Sequence, residues 1–198
     1  MQSHFLIITG MSGAGKTQVV RTLEDLNFFC IDNLPATLIP KFAELCRQTS
    51  EEKVALVVDI RGGRFFDKLL QVLDEMEASG QKYELLFLDA SDATLVRRYK
   101  ETRRRHPLGE RNTLLKNITC ERELLDPLRE KATHIIDTST LTTAQLKAKV
   151  TEMFGEGSSK ERMGIVVRSF GFKHGLPLDS DLVLDVRFLP NPFYVEEL

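Results

Sequence analysis

Short apolar runs alternate along the chain with longer segments in which apolar residues recur every three or four positions. The short runs predict β-strands and the longer spacing predicts amphipathic helices. Five strands are predicted, at Phe5–Thr9, Phe28–Ile31, Val54–Val58, Leu85–Leu88 and His134–Ile136. Because a helical segment separates each strand from the next, we expect a parallel sheet with helices on both faces. The predicted fold class is therefore α/β, with a doubly wound sheet.

Four of the helical segments carry a clear apolar stripe, which we interpret as the face that packs against the sheet. The stripes are Val19, Val20, Leu23 and Leu26; Phe65, Phe66, Leu69, Leu70, Leu73 and Met76; Leu114, Leu115, Ile118, Leu125 and Leu128; and Leu146, Val150 and Met153.

The first predicted strand runs directly into the sequence GMSGAGKT. This stretch fits G-x-x-x-x-G-K-[ST], the P-loop pattern, and has the strand before it and the amphipathic helix after it that the pattern requires. Glycines let the backbone turn so that successive N–H groups converge on a phosphate chain, and the following helix adds its positive end. The predicted nucleotide-binding residues here are Gly10, Met11, Ser12, Gly13, Ala14, Gly15, Lys16 and Thr17. The pattern predicts a kinase-like P-loop NTPase fold.

Lys16 is also the first predicted catalytic residue, because a P-loop lysine reaches the β- and γ-phosphates, while the Thr17 hydroxyl is expected to ligate Mg²⁺. A P-loop works with a carboxylate at the end of a neighbouring strand. Asp59 is the first choice for this metal and catalytic role, and Asp32 is the second choice for the metal. Asp89 also ends a strand, but for this residue the N-cap of the following helix is an interpretation that competes with a metal ligand.

Charge is unevenly distributed, although the 198 residues carry a net charge of only −2. The segment RRYKETRRRHPLGER, residues 97–111, holds seven basic and two acidic residues. Arg103 and Arg104 are predicted to contact phosphates from a loop after a helix, since arginine binds phosphate through paired hydrogen bonds. A solvated basic surface is the alternative.

The stretch GEGSSKER, residues 155–162, interrupts the alternation of strands and helices and predicts a linker. We expect a P-loop domain over residues 1–154, and residues 163–198 to begin a second domain whose remainder lies beyond the chain, because about 35 residues are too few for their own core. Ile165–Val167 and Leu182–Leu184 look like strands. They are expected to pack onto the P-loop domain or onto a second copy of the chain, which would make a homo-oligomer.

The three cysteines have no metal or redox spacing, which favours reduced thiols and a cytoplasmic protein. No apolar run approaches the length of a membrane span, so no membrane association is expected.

Several further stretches resemble the RapZ/YvcJ family of bacterial P-loop proteins. They are LEDLNFFCIDNLP (23–35), DIR (59–61), LLFLDA (85–90), RRRHPL (103–108), LLDPLR (124–129), IIDTS (135–139) and, most specific, SFGFKHGLPLDSDLVLDVRFLPNP (169–192).

The resemblance implies a regulatory protein that binds ATP and GTP and hydrolyses them slowly, with the ATP motif at Gly10–Thr17. It implies a GTP-associated motif at Asp59, Ile60, Arg61 and Gly62. One branch of the family acts as an RNase adapter, and contact with RNA or an RNase is implied only for the C-terminal domain, most of which lies beyond residue 198. The alternative function is a small-molecule kinase that uses the P-loop, Asp32 and an arginine lid over Arg97–Arg105.

Overall fold

The computed structural model describes residues 4–48, 53–58, 63–103, 106–109, 113–155, 166–178 and 180–189. The chain divides into two compact units, Met1–Ser159 and Lys160–Leu198. All the β-strands of the described residues lie in the first unit.

The first unit contains a five-stranded parallel sheet. Its strands are β1 (His4–Gly10), β2 (Phe29–Asp32), β3 (Lys53–Val57), β4 (Glu84–Asp89) and β5 (His134–Asp137), in the order β2-β3-β1-β4-β5. Residue Ile7 at the centre of β1 pairs with Leu56 on one side and with Leu85 on the other. The central strands are buried on both faces, which explains why their sequences are continuous apolar runs. The predicted parallel sheet is confirmed, with strand ends within one residue of the prediction.

In the described part of the chain, six α-helices connect or follow the strands. They are α1 (Lys16–Asp25), α2 (Ile39–Gln48), α3 (Gly63–Ala78), α4 (Asp92–Thr102), α5 (Leu114–Lys131) and α6 (Thr143–Phe154). Right-handed crossovers put α1 on one face and α2, α3 and α5 on the other. The observed packing agrees, because α1 packs against α6 while α3 contacts both α2 and α5. The predicted α/β architecture is thereby confirmed.

Helix α2 has no counterpart among the predicted apolar stripes. Its buried residues Ile39, Ala43 and Cys46 do follow helical spacing. However, the stripe is short and contains an alanine and a cysteine, so it has little apolar contrast with the polar positions around it.

The second unit is not built from strands in the parts that the structure describes. The predicted strands at 165–167 and 182–184 are wrong in their described residues: Val166, Val167 and Leu182–Leu184 have no strand pairing. A strand needs a hydrogen-bonded neighbour, and the described segments of this unit provide only a short 3₁₀ turn, Phe172–His174. Ile165 lies outside the described residues.

Among the described residues, none of the helices combines the length and the apolar character that crossing a membrane would require.

Candidate functional site

The glycine-rich loop lies at the carboxyl end of the central strand β1, where ligands of doubly wound sheets bind. Gly10 ends the strand with φ +131°, and a Cβ at this position would lie 2.1 Å from the carbonyl oxygen of Leu88. The next residue, Met11, donates its N–H to that same carbonyl at 2.9 Å. Only glycine therefore allows the chain to turn so close to β4.

The loop closes around the ammonium group of Lys16, the first residue of α1. Its Nζ donates to the carbonyl oxygens of Gly10, at 2.7 Å, and Met11, at 3.2 Å. Gly15, immediately before the helix, has φ +104°, and Thr17 is exposed in the first turn. The structure thus brings the predicted residues 10–17 into one loop with a cation at its centre and a helix N-terminus at its end, an arrangement suited to anions.

A second contact to this loop comes from α5, which sequence reasoning did not assign to the site. The carboxylate of Glu121 accepts hydrogen bonds from the backbone N–H of Ser12, at 3.1 Å, and from its hydroxyl, at 2.6 Å. His106 also contacts this carboxylate, at 3.2 Å from Nε2, and both side chains are buried.

A third contact comes from Arg98 on α4. Its guanidinium donates to the carbonyl of Gly13 at 3.0 Å, and to the carbonyl and hydroxyl of Thr138 at 2.7 and 3.0 Å. The Thr138 hydroxyl in turn donates to the carbonyl of Ala14, at 2.9 Å. Burial, with the nearby charge of Arg97, lowers the pKa of the Arg98 guanidinium. Arg98 therefore joins the P-loop to the segment that follows β5.

A depression of about 180 Å³ opens beside these contacts. Its lining comes from the P-loop, from α1, from Arg98 and from the segment between β5 and α6. The lining residues are Gly13, Ala14, Gly15, Gln18, Arg98, Thr138, Leu141, Thr142, Thr143 and Leu146.

Asp89 ends β4 but is held by two arginines rather than exposed to a ligand. Arg122 on α5 donates to it at 2.7 Å, and Arg129 lies 3.4 Å away. The interpretation of Asp89 as the N-cap of α4 is wrong, because Ser91 occupies that position and accepts from the N–H of Thr94. The run DASDAT, residues 89–94, contains several residues that can cap a helix. The backbone geometry decides which of them is the cap, and the sequence alone does not determine that geometry.

The other predicted residues are distributed as follows. Asp32 ends β2 and is exposed, at the same edge of the sheet as the P-loop. Arg103 is exposed at the C-cap of α4 with φ +50°. Asp59, Ile60, Arg61, Gly62 and Arg104 lie outside the described residues. In the part of the chain that is described, no three His, Cys, Asp or Glu side chains come close enough together to hold a metal ion.

Sequence reasoning missed Arg98 and Thr138 as partners of the P-loop, and Glu121 as the residue that holds Ser12. Each lies between 85 and 124 positions from its contact in the loop. Arg98 lies in the basic segment 97–111 and Thr138 in IIDTS (135–139), but one sequence gives no signal that pairs such distant residues.

Comparison with known proteins bears directly on this architecture. The RapZ-like N-terminal domain matches residues 3–158, and the RapZ C-terminal domain matches residues 163–198. The chain belongs to the RapZ-like family. A nucleotide-binding protein from Clostridium botulinum strain Hall is 57% identical over 197 residues, covering 98% of this chain and 67% of the relative. A nucleotide-binding protein from Clostridium kluyveri is 55% identical with the same coverage.

Among solved structures, the fold of this RapZ-like chain is similar to that of shikimate kinases. Shikimate kinase from Acinetobacter baumannii has a TM-score of 0.52 at 19% identity, covering 77% of this chain and 93% of that one. Shikimate kinase from Bacteroides thetaiotaomicron has a TM-score of 0.51 at 21% identity, covering 76% and 96%. At this level of identity the likeness establishes the kinase-like P-loop fold alone.

Proposed function

We propose that this RapZ-like chain binds ATP and GTP as their Mg²⁺ complexes and hydrolyses them slowly. The observation that carries the proposal is the loop Gly10–Thr17, which wraps around the Lys16 ammonium at the start of α1. Backbone N–H groups, a helix N-terminus and a lysine together favour a polyphosphate over any neutral ligand. The relatives from two Clostridium species, named nucleotide-binding proteins, support it independently.

The nucleoside is assigned, in this proposal, to the depression beside Gly13–Gly15. Its position next to the phosphate loop suits the remainder of a nucleotide whose phosphates lie in that loop. The guanidinium of Arg98 offers a flat cationic surface for stacking with a base. The exposed Thr143 of the lining offers a hydroxyl, a donor and acceptor that does not discriminate strongly between adenine and guanine.

The metal is assigned to the Thr17 hydroxyl together with a carboxylate, because Mg²⁺ prefers oxygen ligands and keeps several waters. Asp59 remains the first choice and Asp32 the second. Asp89 is excluded from this role, since its carboxylate is engaged by Arg122 and Arg129.

Residues Asp59–Gly62 are assigned to the GTP-associated motif implied by the family. Arg103 and Arg104 are assigned to the charge of the terminal phosphate. We further propose that residues 1–154 carry the nucleotide site, that 155–162 form a linker, and that any contact with RNA or an RNase belongs to the C-terminal domain represented by 163–198.

Calorimetric titration of ATP and GTP, with and without Mg²⁺, tests this proposal. Lys16→Ala is expected to lower affinity for both nucleotides at least ~10-fold, because a charge-assisted contact contributes roughly 1.5–3 kcal/mol. Lys41→Ala, which removes an exposed lysine on α2, is the matched control and should bind as wild type does. Equal affinity of the Lys16→Ala and wild-type chains would contradict phosphate binding at this loop.

Hydrolysis and the metal assignment are tested together by turnover. Asp59→Asn is expected to lower Mg²⁺-dependent hydrolysis at least ~10-fold, the usual effect of losing a metal ligand or the group that orients one. If Asp32→Asn gave the larger loss, the second assignment would replace the first.

A small-molecule kinase is the second candidate function. The observation that favours it is Asp32, an exposed carboxylate at the sheet edge that also carries the P-loop, where it would activate an acceptor hydroxyl. Release of inorganic phosphate in the absence of any acceptor would favour the hydrolase. Acceptor-dependent ADP formation without phosphate release would favour the kinase.

A further inference from the structure

A buried carboxylate, that of Glu121, forms a small polar cluster between α5 and the P-loop. The residue is 4% exposed, on a face of α5 that also carries the buried residues Ile118 and Leu125. The N–H of Ser12 donates to both carboxylate oxygens, at 3.1 Å to Oε1 and 3.2 Å to Oε2. The Ser12 hydroxyl donates to Oε1 at 2.6 Å. A buried charge is costly unless donors surround it, so these contacts are needed for the helix to pack here.

His106 completes the cluster, and its hydrogen bonds indicate its tautomer. The N–H of Leu108 donates to Nδ1 at 3.3 Å, so Nδ1 is an acceptor. The proton is therefore assigned to Nε2, which donates to Glu121 at 3.2 Å. The carboxylate thus receives three donors: an amide N–H, a hydroxyl and an imidazole N–H. Only a group that accepts hydrogen bonds with both of its polar atoms fits this position.

The cluster fixes the backbone of the P-loop in its middle. Ser12 lies between Met11, which is tied to β4, and Gly13, which is tied to Arg98. With the N–H of Ser12 directed at Glu121, the peptide plane between Met11 and Ser12 is fixed. The carbonyl of Met11 lies in that same plane and accepts from the Lys16 ammonium at 3.2 Å and from the N–H of Ala14 at 3.0 Å. A phosphate loop binds more tightly when its donors converge before the ligand arrives, because reorienting them on binding costs affinity.

We propose that Glu121 is a positioning residue for nucleotide binding: it holds Ser12, and through it the P-loop, in the binding-competent conformation. This inference rests on the proposed function of the loop. His106 supports the role by satisfying the second carboxylate oxygen.

The same helix offers a matched control one turn away. Asn117 is 3% exposed and donates through Nδ2 to the carbonyl of Gly109 at 2.7 Å. It therefore joins α5 to the segment that contains His106, as Glu121 does, yet it makes no hydrogen bond to the P-loop among the described residues. A variant at Asn117 loosens the helix and this segment without releasing Ser12.

The test measures the affinity for a non-hydrolysable ATP analogue with Mg²⁺, and the melting temperature, for Glu121→Asp, Glu121→Gln and Asn117→Ala. Aspartate keeps the charge but is one methylene too short to span bonds of 2.6 to 3.2 Å. Glutamine keeps the length but replaces one acceptor oxygen by a donor amide that faces N–H or O–H groups. Both are expected to lower affinity about 10-fold, equivalent to about 1.4 kcal/mol. Asn117→Ala should lower the melting temperature but keep affinity within about twofold.

Two outcomes would overturn the inference. One is an affinity of Glu121→Asp for the analogue that equals that of the wild-type chain, where the wild-type chain does bind it. The other is an equal loss of affinity in Asn117→Ala, which would mean that any loosening of α5 is sufficient. If the wild-type chain bound no nucleotide, the proposed function itself would fail and the positioning role would fail with it.

Imidazole ¹⁵N NMR provides a readout that does not depend on nucleotide. The His106 signal, identified by its loss in His106→Asn, is expected to show the Nε2–H tautomer in the wild type and to change in Glu121→Gln. An Nδ1–H tautomer in the wild type would contradict the hydrogen-bond arrangement on which the inference depends.

Discussion

Replacing Gly10 by alanine is expected to destabilise the fold far more than the same replacement at Gly80. Both glycines have positive φ, +131° and +69°, so an added Cβ strains the backbone at either position, at a cost of about 1–2 kcal/mol. At Gly80 nothing lies within 4 Å of the added carbon. At Gly10 that carbon would lie 2.1 Å from the carbonyl oxygen of Leu88.

The magnitude follows from how far the backbone must move. A carbon and an oxygen in contact are separated by about 3.3 Å or more, so β1 and β4 must separate by more than about 1 Å here. The hydrogen bond from Met11 to Leu88 lies at the same point and would be lost, at about 1 kcal/mol, and overpacking adds about 1–3 kcal/mol. We therefore expect Gly10→Ala to cost about 3 to 6 kcal/mol, with the backbone strain included, against about 1 to 2 kcal/mol for Gly80→Ala.

Urea unfolding followed by circular dichroism measures both free energies, and an unfolding slope like that of the wild type would show that the same transition is compared. A cost of several kcal/mol is a large fraction of the stability of a domain, so Gly10→Ala can also be followed as a fall in melting temperature of about 2–4 °C per kcal/mol. If the two variants lost the same free energy to within about 1 kcal/mol, the close approach of the loop to β4 would be refuted.

Charged side chains and thiols give three further predictions. Asp89→Asn should destabilise the fold by about 1–3 kcal/mol in urea unfolding, because it removes one of the two carboxylates that pair with Arg122, the other being Asp92. Wild-type stability would contradict a stabilising ion pair at Asp89. Although burial acts to raise it, hydrogen bonds from two histidines lower the pKa of Glu84 below its usual 4.5. Glu84→Gln should therefore have a lower free energy of unfolding than the wild type at pH 7. This difference should shrink as the pH falls from about 4.5 through the lowered pKa, because the wild-type carboxylate becomes protonated. A difference in unfolding free energy that did not depend on pH would contradict the prediction. Burial raises the pKa of the Cys30 thiol to about 11, and a nearby glutamate adds to this effect. At pH 8, exposed Cys120 should therefore react with iodoacetamide before Cys30 does. Modification of Cys30 first, detected by mass spectrometry, would contradict this.

Much of the first unit could be predicted from the sequence because its signals are local. A strand buried on both faces must be a continuous apolar run, and β1, β3 and β4 are such runs. The P-loop is also local, since its turn, its lysine and its helix start lie within eight consecutive residues, Gly10–Thr17. The parallel arrangement of the strands then followed from the helices between them.

Only the tertiary structure decided which distant side chains hold that loop. Glu121 lies 109 positions from Ser12, and Arg98 lies 85 from Gly13. Nothing in the local pattern distinguishes these residues from the charged residues that α4 and α5 expose to solvent. The same holds for Asp89, whose place after a strand predicts a cap or a metal ligand, whereas the tertiary structure pairs it with Arg122.

The segments of the second unit show the opposite case, in which a local pattern led to a wrong prediction. Val166, Val167 and Leu182–Leu184 have the composition of strands, but a strand is stable only when neighbours satisfy its backbone hydrogen bonds. The composition of a segment gives its preference for the β-strand conformation, whereas the pairing of strands depends on the whole fold. The sequence by itself thus determined the phosphate loop and the sheet that carries it, because each is encoded in neighbouring residues. The tertiary structure decided which charges are buried against the loop and which strands form, because both depend on contacts between residues far apart in the chain.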